Sequence, residues 1–407
     1  MNAASTDLRE RIRRLPGMDR LLPALEGLPP VYLVGGAVRD LLRGGEAVDL
    51  DVAVEGDARS VARTLAERLG GTAREHERFG TATVRAPELT FDLATTRTET
   101  YAEPGALPRV AEATLADDLR RRDFTINAMA VALGGDDLGH LYDPHGGLAD
   151  LEADAIRILH PDSFLDDPTR LLRAVRYETR LGFRMDEAGE RAARAAVAED
   201  ALSTVSGARV RDELMDLLAE QEAPAAVERL RDLGIDRALD PALDPDPELV
   251  ASASLGAVAI GAERGPAALA ALIAAEPERL EPWVGGLGLE ARERDGVLRA
   301  ARAAPEIVTA LRRREHAPSE LLGLLGGEPP ETLALALALG APSEPILRWV
   351  TELSHVRLEI GGDDLLAAGV PEGPAIGTAL EETLKRKLDG ILSGPEQELQ
   401  AALELAQ

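Results

Sequence analysis

The 407-residue sequence contains no cysteine. Disulfides, thiolate nucleophiles and cysteine-bound zinc are excluded, the chain fits a reducing compartment, and any metal must be held by carboxylates. Lysine is almost missing as well, since only Lys385 and Lys387 occur, so arginine carries nearly all the positive charge. No apolar run approaches the roughly 20 residues of a membrane helix and no basic-then-apolar leader opens the chain. These absences predict a cytoplasmic protein. Positive charge is short overall: 45 basic against 72 acidic residues leave −27, which speaks against broad adhesion to nucleic acid. Arginines nevertheless cluster at Arg120 to Arg122, at Arg170, Arg173 and Arg176, and at Arg312 to Arg314. Short basic patches on an acidic body favour release as well as binding. The run at Arg312 to Arg314 reads as a solvated helix face. The six histidines are scattered, with no His-Asp pair and no helical metal spacing.

What is present is ample apolar content, 45% hydrophobic, enough for two or three domains with real cores. Residues 30–145 alternate strands and helices. Val31 to Val34 reads as a strand, Gly35-Gly36 as a turn, Ala37 to Arg43 as a helix and Val48 to Val54 as a second strand. A helix over Ala58 to Leu69 and β-rich segments at Thr81 to Arg85 and Thr90 to Ala94 follow. From Asp166 onward amphipathic helices succeed one another, with Pro and Gly punctuation. Leu333 to Leu339 alternates Leu and Ala, two helix formers, and reads as core packing.

The strongest local signal is Gly35-Gly36-Ala37-Val38-Arg39-Asp40 at a strand-to-helix turn, followed by Asp49-Leu50-Asp51 on the next strand. Glycines at such a turn let backbone N–H groups approach phosphate oxygens, the helix N-terminus adds a favourable dipole, and Arg39 can clamp a triphosphate. Asp49 and Asp51 are two apart in a strand, so their side chains leave one face. Two carboxylates on one face can hold two Mg²⁺ ions for nucleotidyl transfer. Asp92, in Phe91-Asp92-Leu93, is the natural third ligand.

Two further clusters are Arg121-Arg122-Asp123-Phe124-Thr125-Ile126-Asn127-Ala128 and Asp166-Asp167-Pro168-Thr169-Arg170-Leu171-Leu172-Arg173-Ala174-Val175-Arg176-Tyr177. With the first they resemble, in order and spacing, the tRNA nucleotidyltransferase and poly(A) polymerase family in its bacterial and eukaryotic class. The resemblance covers roughly residues 28 to 220, including Ser206 to Leu214, and returns at Gly361 to Leu366, Gly373-Pro374 and Leu388 to Gly390. It implies an α/β nucleotidyltransferase head with a small mixed sheet at 1–145, a helical neck that reads the nucleotide base at 146–225, and a helical, tRNA-binding body and tail at 226–407. It also implies template-independent addition of C and A from CTP and ATP to the tRNA 3′ end. Asp49 and Asp51 would bind the metals with Asp92 in support. Gly35, Gly36, Arg39 and Arg122 would contact the triphosphate, and Asp123 and Asn127 would lie near the sugar. Asp167, Arg170, Arg173 and Arg176 would form the base site. Many family members carry Glu where this chain has Asp166, and the role of that position stays open.

Elementary chemistry independently suits Asp167 and Arg170 to that use. Cytosine and adenine both place an exocyclic amino donor beside a ring-nitrogen acceptor, so a carboxylate next to a guanidinium accepts them and repels uracil and guanine. Asp167 before Pro168 is also a helix-capping signature, and the two roles are compatible. Arg173 and Arg176 continue a three-residue spacing that winds around the helix. The motifs leave open an enzyme restricted to CC or to A addition, a poly(A) polymerase, and an inactive RNA-binding relative.

Overall fold

The structure, a computed structural model, describes residues 3–45, 50–76 and 80–406. By packing it divides into two compact units, Met1–Ser206 with Leu233–Ala238, and Gly207–Asp232 with Leu239–Gln407.

The first unit is built on a seven-stranded mixed sheet. Its strands are β1 (Val31–Val34), β2 (Leu50–Val54), β3 (Thr72–His76), β4 (Thr81–Ala86), β5 (Leu89–Thr95), and, beyond the hairpin β6 (Arg97–Thr100) and β7 (Arg109–Glu112), β8 (Ala130–Ala132) and β9 (Leu141–Tyr142). The order is β3-β4-β5-β2-β1-β8-β9, with β2 and β5 parallel and the other neighbours antiparallel. Strand alternation divides the faces: on β5, Leu89, Phe91 and Leu93 are buried while Thr90 and Asp92 are exposed. The helices of the first unit include α1 (Ala3–Arg14), α2 (Met18–Ala24), α3 (Gly36–Leu42), α4 (Ala58–Leu69) and α5 (Leu115–Arg120). The amphipathic α4 starts at Asp57, whose side chain accepts from the Arg59 N–H, and buries Val61, Ala62, Leu65, Ala66 and Leu69 against the apolar sheet face. On the opposite face, Leu115 and Leu119 of α5 pack on Tyr32, Val34, Ala130 and Ala132. That helix covers the β1–β8 portion of the face, and on β2, β5, β4 and β3 the outward residues Asp51, Asp92, Arg85 and Arg74 stay exposed.

After the sheet come α6 (Gly147–Glu152), α7 (Ser163–Asp166) and α8 (Arg170–Leu181), with a two-residue parallel pairing of Ala155–Ile156 and Arg184–Met185 between them. The second unit is helical. In it Pro330–Ala338 buries Leu333, Ala334, Leu335 and Ala336 in a row, as the Leu-Ala run predicts. Among the described residues no helix is long and apolar enough to cross a membrane.

Candidate active site

The open half of the sheet face brings two of the three sequence-predicted carboxylates together. Asp51 and Asp92 are direct cross-strand partners on the parallel pair β2 and β5, and both are exposed. Thr83, the antiparallel partner of Asp92 on β4, donates its hydroxyl to Asp92 Oδ1 at 2.5 Å. Asp49 lies outside the described residues, among which no group of three or more His, Asp or Glu gathers as a metal site. The cleft over this row has a volume of about 350 Å³ and is lined by Asp51, Asp92, Thr83, His76, Arg121 and Arg122 with their neighbours. Its donor set suits a hard divalent cation. Carboxylates facing each other across a strand pair repel, and oxygen-bound Mg²⁺ removes that repulsion.

Beside the row, β1 is followed by Gly35, the N-cap of α3, with φ of 68° and ψ of −134°. A Cβ at Gly35 would stand 2.8 Å from Arg122 Nη1, so the backbone and this guanidinium meet only because the side chain is absent. Arg122 donates from Nη2 to Asp118 Oδ2 at 3.0 Å, while its buried Nε has no hydrogen-bond partner among the described atoms. A guanidinium held against a glycine turn has the chemistry of an anion site.

Arg39 occupies a different environment from Arg122. It is 3% exposed, donates from Nε to Asp40 Oδ1 at 2.8 Å and from Nη1 to Asn127 Oδ1 at 2.8 Å, and lies 5.1 Å over the Tyr177 ring. Asn127 passes the network on by donating from Nδ2 to Asp123 Oδ1 at 3.1 Å, and Asp123 Oδ2 accepts from Arg173 Nη1 at 3.3 Å. Burial alone would raise the Asp123 carboxyl, but the charge of Arg173 and the Asn127 amide outweigh it and hold the group below the ordinary carboxylate range. Arg176 also sits over Tyr177, at 5.6 Å.

Asp167 does not cap α8, whose N-cap is Thr169 without a side-chain cap bond; it closes the turn before the helix. Its Oδ1 accepts from the Thr169 N–H at 3.2 Å and the Thr169 hydroxyl at 2.6 Å just before α8. Arg170, 4% exposed, donates from Nη1 to Ser163 Oγ at 2.7 Å and from Nη2 to the Arg121 carbonyl at 3.0 Å. The second cluster is thereby tied to the third. Asp166 Oδ2 lies 3.8 Å from His160 Nε2.

Four residues of this region carry no signal in sequence. Asp118 accepts from both Arg121 and Arg122, Glu99 on β6 pairs with Arg97 and Arg121, and Tyr101 donates its hydroxyl to Glu99 at 3.0 Å. Burial and the nearby Glu99 charge push the Tyr101 phenol up to about 12. Thr83 is the fourth, and only the register of β4 against β5 reveals it.

Residues 31–157 match the family model of the Poly A polymerase head domain, and residues 182–246 match that of the probable RNA and SrmB-binding site of polymerase A. The A-adding tRNA nucleotidyltransferase of Geobacter sulfurreducens is 36% identical over 399 residues, which are 93% of this chain and 45% of that protein. The chain spans half or less of the length of that relative and of two further A-adding relatives, both 45% identical over shorter stretches. The CCA-adding enzyme of Lactobacillus gasseri is 30% identical over 400 residues, 92% of this chain and 93% of that protein. Among solved structures, the Thermotoga maritima CCA-adding enzyme complexed with tRNA(CCA) matches with a TM-score of 0.72 and 31% identity, covering 99% of each chain.

Proposed function

The chain belongs to the tRNA nucleotidyltransferase and poly(A) polymerase family, and we propose that it adds C and A residues to the 3′ end of tRNA from CTP and ATP without a template. The observation that carries the reading is the in-register pair Asp51 and Asp92 beside the glycine turn and the Arg122 guanidinium packed against it. The tRNA 3′-hydroxyl gives up its proton to solvent as its oxygen bonds to the α-phosphorus, the bond from that phosphorus to the bridging β-phosphate oxygen breaks, and pyrophosphate leaves. Asp49 and Asp51, with Asp92 in support, would hold two Mg²⁺ ions, which when bound lower the pKa of the attacking hydroxyl and neutralise the leaving pyrophosphate. Gly35 and Gly36 offer backbone N–H groups and Arg122 a guanidinium to the triphosphate. Arg39 acts from beneath, holding Asn127, and through it Asp123, against the sugar. Asp167 accepts from the exocyclic amino group and Arg170 donates to the ring nitrogen that C and A share, and Arg173 and Arg176 complete that wall. Residues 1–145 serve as the head, 146–225 as the neck, and 226–407 as the body and tail that hold the acceptor arm by shape and phosphate contacts.

A second reading, addition of A alone, is favoured by the matches over most of this chain: the A-adding enzyme of Geobacter sulfurreducens is 36% identical over 399 residues, against 29% over 392 for the CC-adding enzyme of the same organism and 30% over 400 for the Lactobacillus gasseri CCA-adding enzyme. Purified protein with Mg²⁺, one labelled nucleotide at a time, and tRNAs ending before, within and one residue short of CCA separates the readings. Incorporation of C and then A supports the full product. A incorporated only after CC supports the second reading, and no incorporation into any tRNA overturns both.

A further inference from the structure

The acid pair belongs to a row that crosses four strands: Asp51 on β2, Asp92 on β5, Thr83 on β4 and Arg74 on β3 are successive register partners. Partners in register leave the sheet on one face. On β3 and β4 that face carries Thr72, Arg74, His76, Thr81, Thr83 and Arg85 and no acidic residue, although the chain holds 72 of them. The one carboxylate of these strands, Glu75, alternates to the other face and pairs with Arg63 of α4. Arginines elsewhere around the site are ion-paired with acidic neighbours: Arg39 with Asp40, Arg121 with Glu99 and Asp118, Arg122 with Asp118 and Arg173 with Asp123. Arg74 and Arg85 are both exposed and neither forms an ion pair or side-chain hydrogen bond with a described residue.

Geometry says what this strip faces. The glycine turn and Arg122, which take the leaving phosphates, lie on the β1 side of the acid pair. Attacking and leaving oxygens stand roughly in line in phosphoryl transfer, so the attacking 3′-hydroxyl arrives from the opposite side, over β4 and β3. We infer that the outer face of β3 and β4 seats the 3′-terminal strand of the RNA primer, with Arg74 and Arg85 binding its backbone phosphates. Strands lie about 4.8 Å apart, which puts the backbone of Arg74 about 14 Å from that of Asp51, three strand spacings along the row. Threonine hydroxyls between them supply the further sugar and phosphate contacts usual at such interfaces. This strip fixes where the primer end lies and leaves its sequence unread.

The inference rests on the proposed function, and one pair of measurements separates the two. Full-length protein carrying Arg74→Gln and Arg85→Gln is compared with the parent for tRNA affinity, over roughly 0.1–0.3 M salt, and for ATP affinity. Losing two charge-assisted phosphate contacts should weaken tRNA binding about tenfold or more. The slope of log affinity against log salt should become shallower by about 1.4, at about 0.7 per single-strand phosphate. ATP affinity should stay unchanged, which also shows that the variant is folded. An unchanged tRNA affinity and slope, or a loss confined to ATP, overturns the inference. Absence of nucleotide incorporation by the parent overturns the proposed function instead, whatever the binding difference.

Discussion

Asp51 and Asp92 stand opposite each other on adjacent strands, and Thr83 fixes Asp92 through its hydroxyl. Like charges so placed weaken the sheet by about 0.2–1 kcal/mol, so the pair opposes stability to chemistry. Asp92→Asn keeps the shape and the oxygen that accepts from Thr83 while removing one charge. In the absence of divalent ions the variant should therefore unfold at the same temperature as the parent or higher. Supporting groups around metals typically cost about 10–100-fold when lost, so Asp92→Asn should cost about 10–100-fold in incorporation. Thermal melts in chelator and primer-extension rates check the two halves; normal turnover, or a lower melting temperature, refutes the assignment. Individual residues differed in how far the sequence revealed them. Period-two alternation already put Asp51 on an outward face, but its partnership with Asp92 depends on a register spanning 41 positions. Arg39 is the reverse case. Its motif is plain in sequence, yet its neighbour Asp40, together with Asn127 and Tyr177, turns the guanidinium inward, and no local pattern encodes that.

At the level of elements, the short helix α5 and the segment after it act as one electrostatic unit. Asp118, 2% exposed in its side chain, accepts from both Arg121 and Arg122. Burial would raise its pKa, but the charges of Arg122 and Arg121 more than compensate and hold it below the ordinary carboxylate range. A depressed folded pKa gives stability that is complete above the unfolded value, about 3.9, and is lost as pH falls through the folded one. Breaking a buried pair by removing one partner costs about 3–5 kcal/mol. Asp118→Asn should then be markedly less stable than the parent at neutral pH, and the gap should narrow as pH falls below about 4. Urea unfolding along that pH series measures it, and a gap independent of pH contradicts the assignment. Elements were legible where one pattern sufficed: β1, the Gly35 turn and α4 follow from apolar runs, glycine and helical periodicity. The edge strand β3, Thr-Ala-Arg-Glu-His, and the fully exposed β7 were not, because neither shows an apolar alternation. Both are specified by their neighbours' ladder bonds.

Across the whole molecule the net charge of −27 is at odds with a polyanionic substrate unless basic groups are locally released from internal pairing. Many arginines are consumed internally. In the second unit Arg299 pairs with Glu328, Arg302 with Glu281 and Arg314 with Glu320, while Arg312 donates to the carbonyl of Gly340 at 2.7 Å. The Arg312 to Arg314 run is exposed at the end of its helix, but Arg312 and Arg314 are engaged within the fold. Under the proposed function, tRNA at a distance would meet an acidic body, and only in contact would it meet the arginines inferred to bind it on the open sheet face. Long-range repulsion extends about 30 Å at 0.01 M salt and about 10 Å at 0.1 M. Raising salt between those values should speed tRNA association, because it screens the body before it competes for the contacts, while dissociation should also quicken as the contacts weaken. A net basic RNA-binding protein shows the opposite trend in its association rate. Stopped-flow measurement of both rates over that range decides it: an association rate that falls steadily with salt means the local basic surface governs approach from afar, and the acidic body would then have no part in tRNA encounter.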